Sequence, residues 1–221
     1  WLPDLISFRG ATRGVEQLVS GYHQAGTLED WAKAVEPAMR HPRARLALYA
    51  SLATPLLRIL GCPNFVVDFA NRTTTGKTTV LRIAASVWGN PSIESPAATI
   101  STWDNTRVFV ERASAALSNV PLILDDTKRA PKPEVVADLI YAVTSGRGRG
   151  RGSVKGIAQP AIWSTILSSS GEAPATTHTQ DGGTRTRVLG ITGQPFGSAD
   201  AENRKLVEHV SIGLTLHYGH V

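Results

Sequence analysis

A short β-branched and aromatic run, Phe65 to Ala70, is followed at once by NRTTTGKTTVLRIAASVWG over residues 71–89, and this junction restricts the fold more than any other stretch. The run reads as a buried strand. The segment after it opens on threonines, a glycine and a lysine and continues as a strongly apolar helix. Beyond it, candidate helices at 77–88, 105–117, 133–144 and 199–217 alternate with candidate strands at 121–125, 161–168 and 186–192. That alternation predicts an α/β fold with a mostly parallel central sheet flanked by helices.

The strand-to-helix turn has the composition of a phosphate-binding loop, or P-loop. In such a loop the backbone N–H groups and the helix N-terminus surround an anion, because unpaired donors and the helix dipole both favour negative charge there. Gly76 permits close backbone approach, Thr75 lies in the loop, and Lys77 is placed to reach the β and γ phosphates of ATP. Thr78 offers a hydroxyl to Mg²⁺, and Thr79 offers one to a nearby phosphate oxygen. The usual spacing, G-x-x-x-x-G-K-[ST], has glycine where Asn71 stands. Asparagine tolerates positive φ better than most residues, so the turn is expected to survive the exchange. The competing reading is a polar turn with Lys77 in solvent.

A second element supports the first. VPLILDD, residues 120–126, is an apolar strand ending in two acids, as in a Walker B element. Asp125 is expected to hold Mg²⁺, and Asp126 to polarise the attacking water as general base. Asp126 is one methylene shorter than the more usual glutamate, which would slow hydrolysis. Alternatively, the pair caps the turn before Lys128.

The first 62 residues read as helical. Segments at 15–24 and 28–39 precede a longer one at 43–60 in which Pro55 should introduce a bend. They form an expected collar, residues 1–62, ahead of a catalytic core at 63–221. Because the chain starts at Trp1, it is expected to be part of something longer. Cys62 is the only cysteine, which excludes an intrachain disulfide and a cysteine-based zinc cluster and suits a reducing, cytoplasmic setting. The apolar stretch 47–60 is interrupted by Tyr49, Ser51, Thr54, Pro55 and Arg58, so no membrane span is expected. His178, His209, His217 and His220 form no zinc-protease motif. Trp31, Trp88, Trp103 and Trp163 read as packing anchors, and Trp103 is also a candidate neighbour of the nucleotide.

The spacing of these blocks carries a resemblance. TTTGKTTVLRIAASVWGNP at 73–91, Trp103 with Thr106, PLILDD at 121–126, LIYAVTSGRGRGR at 139–151 and SSSGE at 168–172 resemble helicase-like P-loop ATPase domains of prophage and mobile-element primase-helicases. That family has long been catalogued as a domain of unknown function and is similar to AAA+ ATPases and superfamily III helicases. The resemblance covers residues 43–191. It implies ATP hydrolysis with Mg²⁺ at the interfaces of a homo-oligomeric ring, and movement along DNA. It also implies that the strand end at Ser169, Ser170, Gly171 and Glu172 senses the γ phosphate, with Ser169 the expected sensor. In GGTRTRVLGI, Arg187 rather than Arg185 is the expected arginine finger, supplied to a neighbouring subunit.

With 23 basic and 18 acidic side chains, the net charge of +5 permits an anionic partner without requiring one. The densest positive charge lies in SGRGRGRGSVKG, residues 145–156, where Arg147, Arg149, Arg151 and Lys155 stand among glycines. The segment is expected to be a mobile loop contacting a DNA backbone by charge alone, since it carries no aromatic for base stacking. Two functions remain open: a DNA-stimulated ATPase motor, or a nucleotide-gated DNA-binding or loader module with little turnover. A small-molecule kinase is a third and weaker reading.

Overall fold

A computed structural model describes residues 12–72, 75–153, 156–179 and 181–220, with side chains left out at 151–153 and 156–158. Seven strands are numbered in chain order. Five of them, β1 (Phe65–Ala70), β2 (Ser101–Thr102), β3 (Leu122–Asp125), β6 (Ile166–Gly171) and β7 (Val188–Thr192), form one sheet in the order β2-β3-β6-β1-β7. Every pair in it is parallel. The other two, β4 (Arg151–Ser153) and β5 (Gly156–Ala158), form an antiparallel hairpin.

The helices are α1 (Arg13–Val19), α2 (Leu28–Val35), α3 (Pro42–Leu60), α4 (Lys77–Ser86), α5 (Arg107–Ala116), α6 (Pro133–Thr144), α7 (Gly182–Arg185) and α8 (Ala201–Leu216). Strand alternation sends side chains into two apolar layers. Val67, Phe69, Ile123 and Ile166 join α3, α4 and α8 on one face. Val66, Leu122, Leu124 and Leu167 join Trp103, α5 and α6 on the other. The fold is therefore α/β, with a parallel five-stranded sheet covered on both faces.

Local chemistry sets the helix ends. Thr27 caps α2 by accepting from the Asp30 N–H, and Asp200 caps α8 by accepting from the Asn203 N–H. The helix expected over 28–39 stops at Val35 and tightens into a 3-10 turn, Glu36–Arg40, where Pro37 offers no backbone donor. Through Pro55 the α3 helix is continuous, and it ends at Gly61 in the left-handed region. α3 lies against α4, and α2 meets α8 where Ala34 faces Gly213.

Three expectations are corrected. The strand placed at 161–168 runs instead from Ile166 to Gly171. Trp163 is engaged elsewhere: its N–H donates to the Gly146 carbonyl and its indole to the Val143 carbonyl, so it ties down the end of α6. The edge strand β2 was not anticipated, being only two residues long. The segment 145–156 is not wholly a loop, since Arg151–Ser153 and Gly156 enter the antiparallel pairing and its first half is pinned by a bond from the Gly148 N–H to the Ala161 carbonyl. A hairpin closes its own backbone ladder and needs no apolar core, which is why glycine and arginine can alternate within one. Lys155 lies outside the described residues. Among the described residues no helix is long and apolar enough to cross a membrane.

Candidate functional site

The site lies at the carboxyl ends of β1, β3 and β6. After β1 the chain turns through Asn71, whose N–H donates to the Gly171 carbonyl at the end of β6. Asn71 needs no special backbone. Among the described residues the only non-glycines at positive φ are Asn119 and Asp126, so the tolerance expected of Asn71 is not called on. Its side-chain oxygen accepts from the Arg72 N–H at 2.9 Å.

Gly76 does need one. Its φ is +88°, and a Cβ there would stand 2.6 Å from the ring of Phe196. α4 begins immediately after, at Lys77. The Lys77 ammonium donates to the carbonyls of Asn71 (2.7 Å) and Arg72 (2.8 Å), reaching back along the loop, and Thr75 also donates to the Arg72 carbonyl. Burial pushes the Lys77 pKa down. Glu172, then Asp125, then Asp126 act against that shift.

At the second residue of α4 the two expected motifs meet. The Thr78 hydroxyl donates to Asp125, 3.0 Å from one carboxylate oxygen, and the Ser170 hydroxyl donates to the other at 2.5 Å. Asp125 is buried and Thr79 is buried beside the loop. Ser169, the expected sensor, is not brought to this cluster. It pairs in register with Asp68 of β1, fully buried, while Ser170 faces the cluster. Adjacent strand residues point to opposite faces, so only one of the two serines can serve this side.

Asp126 takes an unusual backbone, φ +61° and ψ +90°. Its carboxylate accepts from the Lys128 N–H at 3.2 Å, and its own N–H donates to Ser170. The capping role foreseen for the acidic pair is thus filled by Asp126.

These groups line a cavity of about 500 Å³. Thr75 to Thr79, Asp125, Asp126, Ser170 and Glu172 form one wall. The opposite wall comes from the segment after β7 and from α8, with Gln194, Phe196, Asn203, Arg204 and Glu208. Sequence reasoning passed over Phe196. Its buried ring packs edge-on against His41, 5.7 Å between centroids. An aromatic between a proline and a glycine, in the turn-forming stretch QPFGS, is the one available hint.

Thr78 and Asp125 present hard oxygen donors side by side. Among the described residues no group of three or more His, Cys, Asp or Glu could hold a metal. One hydroxyl and one carboxylate do fit Mg²⁺, which keeps several waters and completes its shell with phosphate oxygens.

Arg187, Arg147 and Arg149 lie at the other end of the strands. The Arg187 carbonyl accepts from the Val66 N–H at the start of β1, and its exposed guanidinium reaches the Thr144 hydroxyl at 3.5 Å. Arg147 and Arg149 are exposed beyond the end of α6, and Arg147 bridges to Ile162. Arg151 lies in β4, with its side chain outside the described set. Arg187, Arg147 and Arg149 do not line the cavity.

Residues 8–163, well over half of the chain, match a family described as a domain of unknown function, DUF927. The chain belongs to that family. Among solved structures, this DUF927 chain is similar to SCCmec type IV Cch, described as an active helicase, with a TM-score of 0.71 and 24% identity. The match covers 90% of this chain and 37% of that one, so the DUF927 chain spans little more than a third of its neighbour. At that identity the likeness is one of fold. Among curated proteins none matches the chain.

Proposed function

We propose that this DUF927 chain is a P-loop ATPase motor domain of the AAA+ and superfamily III type, acting on DNA in the replication of a mobile element or phage. The observation that carries the reading is the contact between Thr78 and Asp125, 3.0 Å apart, in a cavity shared with Lys77. Residues from two distant segments, each expected from sequence to serve a metal-bound triphosphate, arrive at one place. The described fold of the solved neighbour, a helicase, agrees with this.

In this reading the backbone N–H groups around Gly76 and the start of α4 hold the phosphates. Lys77 turns its ammonium from the loop carbonyls to the β and γ phosphates. Thr78 and Asp125 would hold Mg²⁺, which would neutralise charge on the transferring group. Ser170, bonded to Asp125, is the hydroxyl placed to sense the γ phosphate. Phe196 and α8 close the far side and exclude water. Arg187, remote from its own cavity, would serve a neighbouring copy in a ring. Arg147, Arg149, Arg151 and Lys155 would follow a DNA backbone. The helical segment before residue 63 is the collar of this motor.

Lys77→Ala tests the reading. Removing the charge should abolish ATP binding and lower DNA-stimulated phosphate release by about 100-fold or more, as loss of a preorganised charge stabiliser does elsewhere. Unchanged hydrolysis would sink the assignment. A second reading, a nucleotide-gated DNA-binding module with little turnover, draws on Asp126, whose carboxylate is spent on capping. ATP binding without phosphate release, with DNA present, would favour it.

A further inference from the structure

Four acids line the cavity: Asp125, Asp126, Glu172 and Glu208. Glu208 belongs to α8 on the far wall. Both oxygens of Asp125 are taken by Thr78 and Ser170, the arrangement expected of a metal-holding carboxylate. Asp126 is turned by its positive φ into capping the next helical turn. Glu172 differs from all three in where it starts.

It follows the last residue of β6, and β6 lies between β3, which ends at Asp125, and β1, which feeds the Lys77 loop. The sheet order therefore delivers Glu172 between the two halves of the phosphate site. Its starting point is fixed. A Cβ at Gly171 would fall 2.3 Å from the Thr127 hydroxyl and 3.0 Å from the Ala173 carbonyl, so only glycine lets the strand end pass that close. Farther along, the Ala175 N–H donates to the buried Asp68 carboxylate at 2.7 Å, anchoring the other side of the segment. Lys128, itself exposed, pairs with the Glu172 carboxylate, and Glu172 lines the cavity. Glu172 is also the acid that acts most strongly on the Lys77 ammonium.

We propose that Glu172, rather than Asp126, is the carboxylate that orients and deprotonates the attacking water. The inference rests on the nucleotide reading above. The water oxygen forms a bond to the γ phosphorus while the bond from that phosphorus to the β–γ bridging oxygen breaks, its electron pair staying with ADP. The proton leaving the water goes to a Glu172 oxygen and then to solvent. Glutamate supplies the reach that Asp126 lacks, and Lys128 is a positioning residue that sets its angle.

The test compares Glu172→Gln, Asp126→Asn, Lys128→Met and Lys77→Ala in the full chain, measuring binding of a fluorescent ATP analogue, phosphate release with DNA and thermal unfolding. Glu172→Gln is expected to bind the analogue within a few-fold of wild type and to lose about 100-fold or more in phosphate release, the usual scale for a general base. Asp126→Asn and Lys128→Met should each lose less than about ten-fold in release, on the same scale of effects. The inference is overturned if Glu172→Gln turns over like wild type, if Lys128→Met falls as far as Glu172→Gln, or if Asp126→Asn alone abolishes release. A wild-type chain that binds the analogue but never releases phosphate overturns it and leaves the binding reading standing. A wild-type chain that does not bind the analogue removes the nucleotide reading beneath it.

Discussion

Gly76 meets two demands at once: a left-handed backbone, and an aromatic ring where a side chain would start. For an L-residue the backbone term alone costs about 1–2 kcal/mol. Gly76→Ala should therefore lower both the unfolding temperature and ATP affinity, while Gly76→Ala with Phe196→Ala should recover only the steric share. Calorimetry and nucleotide titration on the two variants would separate these parts. Asp68 offers a second residue-scale test. Burial raises its pKa above the ordinary 3.8, against the bond from Ala175. A carboxyl whose folded pKa is raised favours the folded state fully below its unfolded pKa, and that contribution is lost as pH rises through the folded value. Asp68→Asn, which cannot ionise, should gain stability relative to wild type as pH climbs from about 4 towards neutrality. Unfolding temperatures of both chains across that window would show it. At this scale residue types are more legible in the sequence than faces. Ser169 and Ser170 are indistinguishable as letters; only the register of β6 against β3, Leu124 opposite Ser169, decides which one meets Asp125.

Among the elements, the legible ones are those whose pattern is self-contained. β1, α4, β3 and α6 each carry an apolar period long enough to read, and together they hold Lys77, Thr78 and Asp125. β2 consists of two residues whose strand character exists only because β3 lies alongside. The β4–β5 hairpin owes nothing to hydrophobic patterning, so a glycine-arginine repeat looked like a loop. The second wall of the cavity, from Gln194 to Glu208, was invisible for a different reason: it is brought over the loop by long-range packing, with α8 seated on α2 through Gly213 against Ala34. The hairpin region also carries an element-scale prediction. Arg147 and Arg149 are exposed and outside the cavity. Replacing both by alanine should leave the unfolding temperature and ATP affinity unchanged and weaken DNA binding. If both contact phosphates of single-stranded DNA, the slope of log affinity against log salt should fall by roughly 0.7 for each charge removed. Titrations at several salt concentrations would measure it, and an unchanged slope would place the DNA elsewhere.

Over the whole molecule, charge and chemistry are divided between the two ends of the strands of one parallel sheet. The cavity opens at the carboxyl ends of the strands, where ligands of open parallel sheets collect. Arg187, Arg147 and Arg149 lie at the amino ends. α6 joins the two ends, following the Asp125–Asp126 turn and ending beside Arg187 at Thr144. Its 12 residues span about 18 Å at the helical rise of 1.5 Å per residue. No arginine side chain crosses that distance, so Arg187 cannot act on a nucleotide held by its own chain. If it acts on phosphate at all, the phosphate belongs to another copy. Arg187→Ala should then bind ATP normally yet lose hydrolysis by about 1,000-fold or more, as arginine-finger variants do. Lys77→Ala should fail for the opposite reason, keeping its arginine and losing its nucleotide. Mixed together, the two inactive chains should regain phosphate release, because a Lys77→Ala copy can lend Arg187 to the intact cavity of an Arg187→Ala neighbour. Rates measured across mixing ratios should peak at intermediate composition. A flat, inactive mixture in which both chains co-assemble would place Arg187 in the scaffold, bracing the end of α6, with no part in hydrolysis.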